Sequence, residues 1–365
     1  MQVLLTDNNK NFQDSIYGFL KAKFKSIESS DLKRLWQELF KNSFIKPEQS
    51  ILDEALLVES VSKHLSGLGL FLLTQFTCIN IINNFANKDI RNKYLNKLRS
   101  GEAIGSFSIT EPNAGSDVSL IETTAVKNNN NWILNGHKIW ASNGSICDLI
   151  ITFAQTKSHK DKSGITAFLL DPNSKQIKIK SDTPKLGVKI TPSNEITINN
   201  AEITEEAKIG DIGDGIKIAL SAITLGRIYC AAQAVGLLGG LLEECINHST
   251  KRNQFGKSIS EYQSIKWYLA DMTKDLDAAR LLLHKACWAK ENSPEELSKY
   301  SSMAKYFSTS VTQKHATKAV QILGGRGLIE GSYVAKGYND SKVLEIYEGT
   351  NEIQKLVLTK ELKLN

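Results

Sequence analysis

Hydrophobic positions in the first hundred residues recur at helical spacing. Ile16, Phe19, Leu20 and Phe24 lie three or four positions apart, which places them on one face of a helix. Glycine and proline are sparse here, as a packet of helices requires. The same pattern predicts further helices over 31–41, 50–65, 69–85 and 88–99. Residues 1–105 are therefore predicted to form an N-terminal α-helical domain.

From about residue 106 to residue 210 the hydrophobic period changes to two. QIKIK (176–180) and EITIN (195–199) alternate strictly, and LIITFA (149–154) and TAFLLD (166–171) are apolar runs of strand length. Turn-forming residues separate such runs at NNNN (128–131), KSHKDKSG (157–164) and DPNSK (171–175). Residues 106–210 are predicted to form a small β-barrel or sandwich rather than a doubly wound sheet.

Helical spacing returns over residues 211–365. One apolar stripe of about six turns contains Ile265, Leu269, Met272, Leu276, Ala279, Leu283 and Ala286. Similar helices are predicted over 215–250, 295–323 and 343–360. Four long helices with short connections favour an antiparallel four-helix bundle. The predicted fold class is α+β, in the order helical domain, middle β domain and C-terminal bundle.

Composition narrows the class of protein. Of the 365 residues, 41% are hydrophobic and 23% are charged, as in a soluble globular protein. The net charge of +6 is mild and is no signature of nucleic-acid binding. The apolar stretch 68–82 is interrupted by polar residues and is shorter than a membrane span. The start MQVLLTDNNK lacks the pattern of a signal peptide, so we expect a cytoplasmic protein.

Cysteine and histidine spacing gives no metal pattern. The chain has five cysteines, an odd number, and no CxxC pair, so neither a disulfide framework nor a zinc site is expected. Five buried thiols are the expectation. The six histidines are spaced irregularly, and we predict no bound metal.

Two segments in the middle domain carry residues suited to a planar cofactor. In GSFSITEPNAGSD (105–117), Gly115 lets a ligand approach the backbone closely, and successive N–H groups could bind phosphate. In NGHKIWASNGS (135–145), a flat Trp140 indole and the Ser142 hydroxyl suit a heteroaromatic ring. Taken alone, Trp140 would more often be a core residue.

Two further segments lie in the C-terminal part. In KRNQFGKSISEYQSI (251–265), Arg252 and Lys257 form either a phosphate clamp or a solvated surface pair. In LEIYEGTNEIQ (344–354), Glu348 has apolar neighbours, so burial should raise the pKa of its carboxyl. On spacing alone, Glu348 is equally compatible with a carboxylate at a helix start.

Together and in this order, the segments resemble the acyl-CoA dehydrogenase family over essentially the whole chain. TEPNAGSD (110–117) is similar to its T-E-P-x-A-G-S-D loop, and NGHKIWASNG (135–144) to its N-G-x-K-x-W-[IA]-[ST]-N-G strand. RNQFGK (252–257), QILGGRG (321–327) and IYEGTNEIQ (346–354) resemble its C-terminal motifs. The resemblance implies a dehydrogenase that binds FAD and acts on CH–CH bonds of acyl thioesters.

The resemblance also implies roles for single residues. Glu348 is the expected catalytic base, since the family's other base position is Gly226 here. Expected substrate contacts are Ser116, Arg227, Tyr347 and Gly349. Expected contacts to the flavin are Phe107, Ile109, Thr110, Gly115, Ser116, Trp140, Ala141, Ser142, Thr350 and Glu352. The ADP half of FAD is expected to meet residues of a neighbouring subunit, namely Arg252, Gln254, Phe255, Gln321, Gly324 and Gly325.

The implied mechanism is removal of the α-proton by Glu348 with hydride transfer from the β-carbon to flavin N5. In the family, the backbone N–H at this position and a ribityl hydroxyl of the flavin polarise the thioester carbonyl. The expected partners are other copies of the chain, as a homodimer or homotetramer. The electron acceptor is expected to be an electron-transfer flavoprotein or oxygen.

Three departures from the family pattern leave the substrate carrier open. FIKPEQSI (44–51) replaces a glycine-rich loop, Thr224 replaces an aspartate, and Asn339 replaces an arginine. Some relatives act on acyl carrier proteins in polyketide and nonribosomal peptide pathways, with hydroxymalonyl or prolyl groups. The carrier is therefore CoA or an acyl carrier protein. Other readings are a flavoprotein that binds without dehydrogenating, a nitrogen-oxidising relative and a helical scaffold without cofactor.

Overall fold

Helices dominate the described residues that precede the sheet. The structure, a computed structural model, describes residues 5–156 and 164–362. Five helices precede the first strand: α1 (Asp7–Lys23), α2 (Leu32–Lys41), α3 (Ile51–His64), α4 (Gly67–Phe85) and α5 (Lys88–Ser100). Side-chain oxygens of Ser50 and Asn87 cap α3 and α5, which satisfies backbone N–H groups at the helix starts. The helices predicted for this part are confirmed, with ends shifted by a few residues.

Eight strands of the middle part form one sheet: β1 (Gly105–Ser108), β2 (Thr124–Asn128), β3 (Asn131–Ser142), β4 (Leu149–Gln155), β5 (Ile165–Leu170), β6 (Ile177–Ile179), β7 (Ser193–Thr204) and β8 (Lys208–Ile209). The order is β6-β7-β3-β1-β4-β5-β8, and β2 pairs with both β3 and β4. Trp132 on β3 and Phe168 on β5 have ring centroids 5.6 Å apart, although β1 and β4 lie between their strands in the sheet. This contact shows that the sheet is strongly curved. The predicted break at 157–164 lies, except for Gly164, outside the described residues.

Long helices return after β8. They are α6 (Gly215–Lys251), α7 (Gln263–Asn292), α8 (Leu297–Leu323), α9 (Tyr333–Leu344) and α10 (Asn351–Glu361). A two-stranded hairpin, β9 (Asn253–Gln254) and β10 (Lys257–Ser258), joins α6 to α7. The prediction of one helix over 343–360 was wrong. Glu348 and Gly349 have φ of 57° and 83°, and this left-handed backbone divides the segment into the end of α9 and all of α10.

Helices α4 and α6 are the apolar centre of the molecule. By length and composition both could cross a membrane, yet 72% of the apolar window of α4 and 78% of that of α6 are buried inside the protein. Helices that are apolar all round are typical of such interior positions. One hydrophobic cluster joins the N-terminal helices to α6, α7 and α8, and a second joins α4, α5 and the start of α6 to the sheet. The sheet is thereby fixed against the helices.

The cysteines depart from the sequence prediction at one position. All five cysteines are free thiols; Cys147 is partly exposed and the other four are buried, so the expectation of five buried thiols was wrong at one position. Among residues 5–156 and 164–362, no three metal-binding side chains gather. His159 lies outside the described residues.

Candidate active site

The turn between α9 and α10 presents Glu348. Thr350 caps α10, because its Oγ1 accepts from the backbone N–H of Ile353 at 3.3 Å. Glu348 itself has φ of 57°, a conformation that strains a residue with a side chain by about 1–3 kcal/mol. At Gly349, with φ of 83°, a Cβ would also lie 2.7 Å from Nε2 of Gln354. The surroundings therefore hold a strained acidic residue in place, which is typical of a functional position.

The Glu348 carboxyl lies against the backbone of α6. A Cβ on Gly226 would collide with Oε2 and Cδ of Glu348, so only glycine at 226 leaves room for the carboxyl. Burial raises the pKa of the Glu348 carboxyl to about 7, although the positive charges of Arg227 and Lys305 oppose the rise. A carboxylate with a raised pKa is a stronger base than a solvated one. The sequence prediction of a raised pKa agrees with this geometry.

Arg227, the residue after Gly226, acts on this carboxyl through its positive charge. Its side chain is buried, and Nη1 donates to the Ser302 hydroxyl on α8 at 3.2 Å. Its Nε has no hydrogen-bond partner in the part of the chain that the structure describes. Burial lowers the pKa of the Arg227 guanidinium, whereas the Glu348 carboxylate acts in the opposite direction. Arg227 is thus an electrostatic neighbour of Glu348, and its contact with substrate stays a prediction.

Tyr347, the neighbour of Glu348 in the chain, is bound to α6 through its hydroxyl. Its hydroxyl donates to the side-chain oxygen of Gln233 on α6. Gln233 in turn donates through Nε2 to the carbonyl of Ser66 at 2.7 Å. This connection joins the turn to α6 and the start of α4. Gln233 was not predicted from the sequence, because its only signal is a polar residue on a buried helix face.

A wall of β-sheet residues contains most of the predicted flavin contacts. Phe107 on β1 is paired with Ser142 on β3, and Thr110 accepts through its carbonyl from the N–H of Ile139 at 2.9 Å. Trp140 has φ of 59° at a register shift in β3 and is 53% exposed. A bulge of this kind turns a side chain out of its regular position in the sheet. Trp140 is therefore a surface residue of the wall, not a core residue.

Behind this wall lies a buried ion pair. Lys138 Nζ donates to Glu111 Oε1 at 2.6 Å and to the Phe153 carbonyl at 2.7 Å. Burial favours protonation of Glu111, yet the charge of Lys138 and hydrogen bonds from Thr123 and Glu122 lower the pKa of its carboxyl. Glu111 belongs to the motif at 105–117, and Lys138 belongs to the motif at 135–145. The pair connects the loop after β1 to β3, and it explains why those motifs contain Glu and Lys.

The loop after β1 ends in open backbone. Glu111 and Ala114 exchange backbone hydrogen bonds of 3.0 and 3.1 Å and so close a tight turn. Beyond it Gly115 and Ser116 are exposed, and a Cβ on Gly115 would meet no atom within 4 Å. Accessible N–H groups in such an exposed backbone segment could bind an anionic or hydroxyl-bearing ligand.

The remaining predicted contacts lie at the other end of the bundle. The hairpin after α6 holds Phe255, which is 94% exposed and has φ of 52°. Because α6 is one continuous helix, Arg252 is roughly 39 Å from Gly226 at about 1.5 Å per residue. Within a single chain, the turn of Glu348 is therefore far from a second group of predicted contacts. These are Arg252, Gln254, Phe255, Gln321, Gly324 and Gly325.

A cavity of about 380 Å³ lies between α3, α4 and α6. Its walls include Leu225 and Tyr229 of α6 and Glu54 of α3. The Tyr229 hydroxyl donates to Glu54, and burial raises the pKa of that carboxyl to about 7. The described lining of the cavity is largely polar and includes neither Gly226 nor Glu348.

Comparisons with known proteins agree with the geometry. The model of the acyl-CoA dehydrogenase middle domain matches residues 106–201, and that of the acyl-CoA dehydrogenase C-terminal domain matches residues 213–363. An acyl-CoA dehydrogenase of Bacillus subtilis (strain 168) is 38% identical over 308 residues, which are 84% of this chain and 81% of that protein. The chain belongs to the acyl-CoA dehydrogenase family. It is accordingly an oxidoreductase of a family that uses FAD and acts on CH–CH donors.

Solved structures of acyl-CoA dehydrogenase relatives share the whole fold. Butyryl-CoA dehydrogenase from Megasphaera elsdenii superposes with a TM-score of 0.93 at 31% identity, over 99% of each chain. The prolyl acyl carrier protein oxidase AnaB superposes with a TM-score of 0.93 at 27% identity, over 99% of this chain and 100% of that one. The order of helical, β and helical parts predicted from the sequence is confirmed.

Residues of the β-sheet wall and residues of the turn each suit the FAD that the acyl-CoA dehydrogenase family implies. Trp140 offers an exposed indole, and Ser142 is partly exposed at the end of the same strand. Thr350 and the exposed Glu352 stand at the start of α10, next to Glu348. An aromatic plane, an available hydroxyl and a helix start suit a flat ring with polar edges.

Proposed function

We propose that this protein introduces an α,β double bond into acyl thioesters and that Glu348 is the base. The observation that carries the proposal is the position of this carboxyl. It lies on a strained turn, over the one α6 residue that leaves room for it, and its pKa is raised to about 7. A base poised near neutral pH is suited to proton abstraction in cells.

The chemistry requires removal of a very weakly acidic α-hydrogen. The Glu348 carboxylate takes the α-proton, and the electron pair of that C–H bond becomes the new C=C bond as the β-hydrogen leaves with its own pair. When bound, FAD supplies the two-electron acceptor for that hydride. We infer that the backbone N–H of Glu348 donates to the thioester oxygen, where negative charge develops.

We propose that the FAD site is shared between two subunits. Trp140, Ser142 and Thr350 would hold the flavin ring. Arg252 and Phe255 would hold the ADP half of the FAD of a partner. The roughly 39 Å along α6 supports this division, because it exceeds the length of an FAD molecule. A homodimer is then the smallest active form, and a tetramer of two dimers is also compatible.

Coenzyme A is the favoured acyl carrier, because relatives 35–38% identical to this chain are named acyl-CoA dehydrogenases. An acyl carrier protein is the second candidate. The neighbour AnaB, at 27% identity, acts on a prolyl carrier protein by its name. Thr224 lacks the carboxylate that the family resemblance implies at this position, and its hydroxyl donates to Leu220 of its own helix at 2.7 Å.

An electron-transfer flavoprotein is the proposed acceptor. CarC, a subunit of the caffeyl-CoA reductase-Etf complex of Acetobacterium woodii, is 34% identical over 267 residues, 73% of this chain and 70% of its own. Oxygen is the alternative. Comparing reoxidation of the reduced protein by air and by an electron-transfer flavoprotein separates the two.

The test is anaerobic mixing of the purified protein with acyl groups of graded length, each on CoA and on a carrier protein. We expect a yellow protein whose flavin absorbance bleaches, with a product two mass units lighter and containing a C=C bond. A colourless protein, or a product oxidised at nitrogen, would contradict the proposal.

A further inference from the structure

One buried cation touches the turn of Glu348 on both sides. Lys305 lies on α8, and its side chain is fully buried. Its Nζ donates to the carbonyl of Glu345 at 3.0 Å and to the carbonyl of Gly349 at 2.9 Å. The third donor goes to Oδ1 of Asn351 at 2.9 Å. All three N–H bonds of the ammonium therefore end on the segment that contains Glu348.

Lys305 has no carboxylate within ion-pair distance among the described residues. Burying an ammonium without such a partner is unfavourable by several kcal/mol. The acidic groups that act on it through space are Glu348 and Glu345, while Cys230 and Arg227 are the other titratable groups around it. A charge kept in such a position needs an explanation beyond packing.

Capping of α9 is the simpler explanation, since cations are favourable at helix C-termini. It accounts for the contact with Glu345 and for nothing else. The Gly349 carbonyl lies beyond the helix, in the left-handed part of the turn. Asn351 is also held by Thr309, whose hydroxyl donates to the same Oδ1 at 3.0 Å. The arrangement is therefore built around the turn, not around the helix end.

We propose that Lys305 is the positioning residue of the base: its ammonium fixes the turn that presents Glu348 and supplies positive charge to the carboxylate. This inference rests on the proposed function of Glu348. The charged groups that act on that carboxyl are Arg227 from α6 and Lys305 from α8, and both lower the pKa of Glu348. Loss of Lys305 would leave Arg227 alone, so the carboxylate would need a higher pH to form.

Two substitutions separate the charge from the hydrogen bonds. Lys305→Gln removes the charge, and Lys305→Arg keeps it but places its donors in one plane. The control is Lys314→Gln, an exposed lysine about 14 Å further along α8. The measurement is the rate of flavin bleaching by a reactive acyl thioester against pH, with the wild-type protein and Glu348→Gln in parallel.

For Lys305→Gln we expect the acidic limb of the pH profile to move up by about one unit. Lys305→Arg should keep the limb and lower the plateau rate, and Lys314→Gln should match the wild type. A Lys305→Gln limb at the wild-type position would overturn the role of the charge. A wild-type plateau in Lys305→Arg would overturn the role of the hydrogen bonds. If none of the thioesters bleaches the flavin of the wild-type protein, the proposed function itself is refuted.

A measurement without substrate tests the positioning role separately. Backbone hydrogen exchange of the resting protein over residues 345–353 should be faster in Lys305→Gln, while exchange in α7 stays unchanged. Equal exchange over 345–353 in variant and wild type would contradict the inference, even if activity had fallen.

Discussion

Gly226 and Glu348 occupy one space: the carboxyl of Glu348 lies where the side chain of any other residue at 226 would begin. The family has two positions for its base, and this chain has Glu at one and Gly at the other. The contact explains why the two go together. A carboxylate on α6 at 226 would exclude the Glu348 carboxyl from its present site.

Gly226→Ala should therefore damage catalysis more than folding. The added Cβ displaces the carboxyl, and we expect the rate of flavin bleaching to fall about 100-fold, the range ascribed to a misplaced base. The matched control is Gly18→Ala, an exposed helix position where a Cβ meets no atom within 4 Å. This control should keep full activity. Equal bleaching rates in the two variants would refute the steric account.

The raised pKa of Glu348 predicts a pH-dependent stability. The carboxyl has a pKa of about 7 in the folded chain against 4.5 when solvated, so folding favours its protonated form. The favourable contribution of this carboxyl to the free energy of unfolding is fully present below pH 4.5. It is lost as the pH rises towards 7, because the buried group must then ionise.

Glu348→Gln removes this loss and should gain about 2–3 kcal/mol over the wild type at pH 8, but little at pH 5. Urea unfolding at both pH values measures the gain, with the exposed Glu361→Gln as control. A difference that does not grow with pH would show that the carboxyl is not buried as described.

The pair Lys138 and Glu111 predicts a stability effect that a second substitution reverses in part. Lys138→Met leaves the buried Glu111 carboxylate without its counter-charge and should lower the free energy of unfolding by about 3–5 kcal/mol. Adding Glu111→Gln removes the unpaired charge, so the double variant should be more stable than Lys138→Met alone. Additive losses in a denaturant series would instead indicate two independent residues.

A shared FAD site predicts complementation between inactive subunits. Glu348→Gln lacks the base and Arg252→Ala lacks a contact to the ADP half. In a mixed dimer, one site combines an intact Glu348 with an intact Arg252 of the other subunit. We expect each pure variant to be weak and the co-expressed dimer to recover up to half of the wild-type activity per dimer. Mixtures no better than their components would mean that each chain builds its site alone.

Much of the fold could be predicted because its signals are local. The stripe from Ile265 to Ala286 lies on α7, and the alternation in 195–199 lies on β7. The break at Glu348 and Gly349 could not be predicted in the same way, since the apolar pattern on either side continues through it. The turn at this break is stabilised by Lys305, which is distant in sequence and donates to the carbonyls of Glu345 and Gly349. A lysine on a buried helix face gives no indication of its partner.

The residues of the candidate site also fall into two groups, those in local motifs and those that act through distant contacts. Glu348, Trp140 and Ser142 stand in motifs that could be compared with a family, and the chain brings them to the described positions. Gln233 and Lys305 support the site through contacts between distant segments, which the sequence pattern around either residue does not reveal.

The central claim is that Glu348 removes the α-proton. Anaerobic rapid mixing of the wild-type protein and Glu348→Gln with the same reactive acyl thioester tests it most directly. We predict that the variant stays yellow and binds the thioester, while its flavin bleaches at least about 100-fold more slowly. Bleaching within about threefold of the wild-type rate, well below the loss expected for a missing general base, would contradict the account.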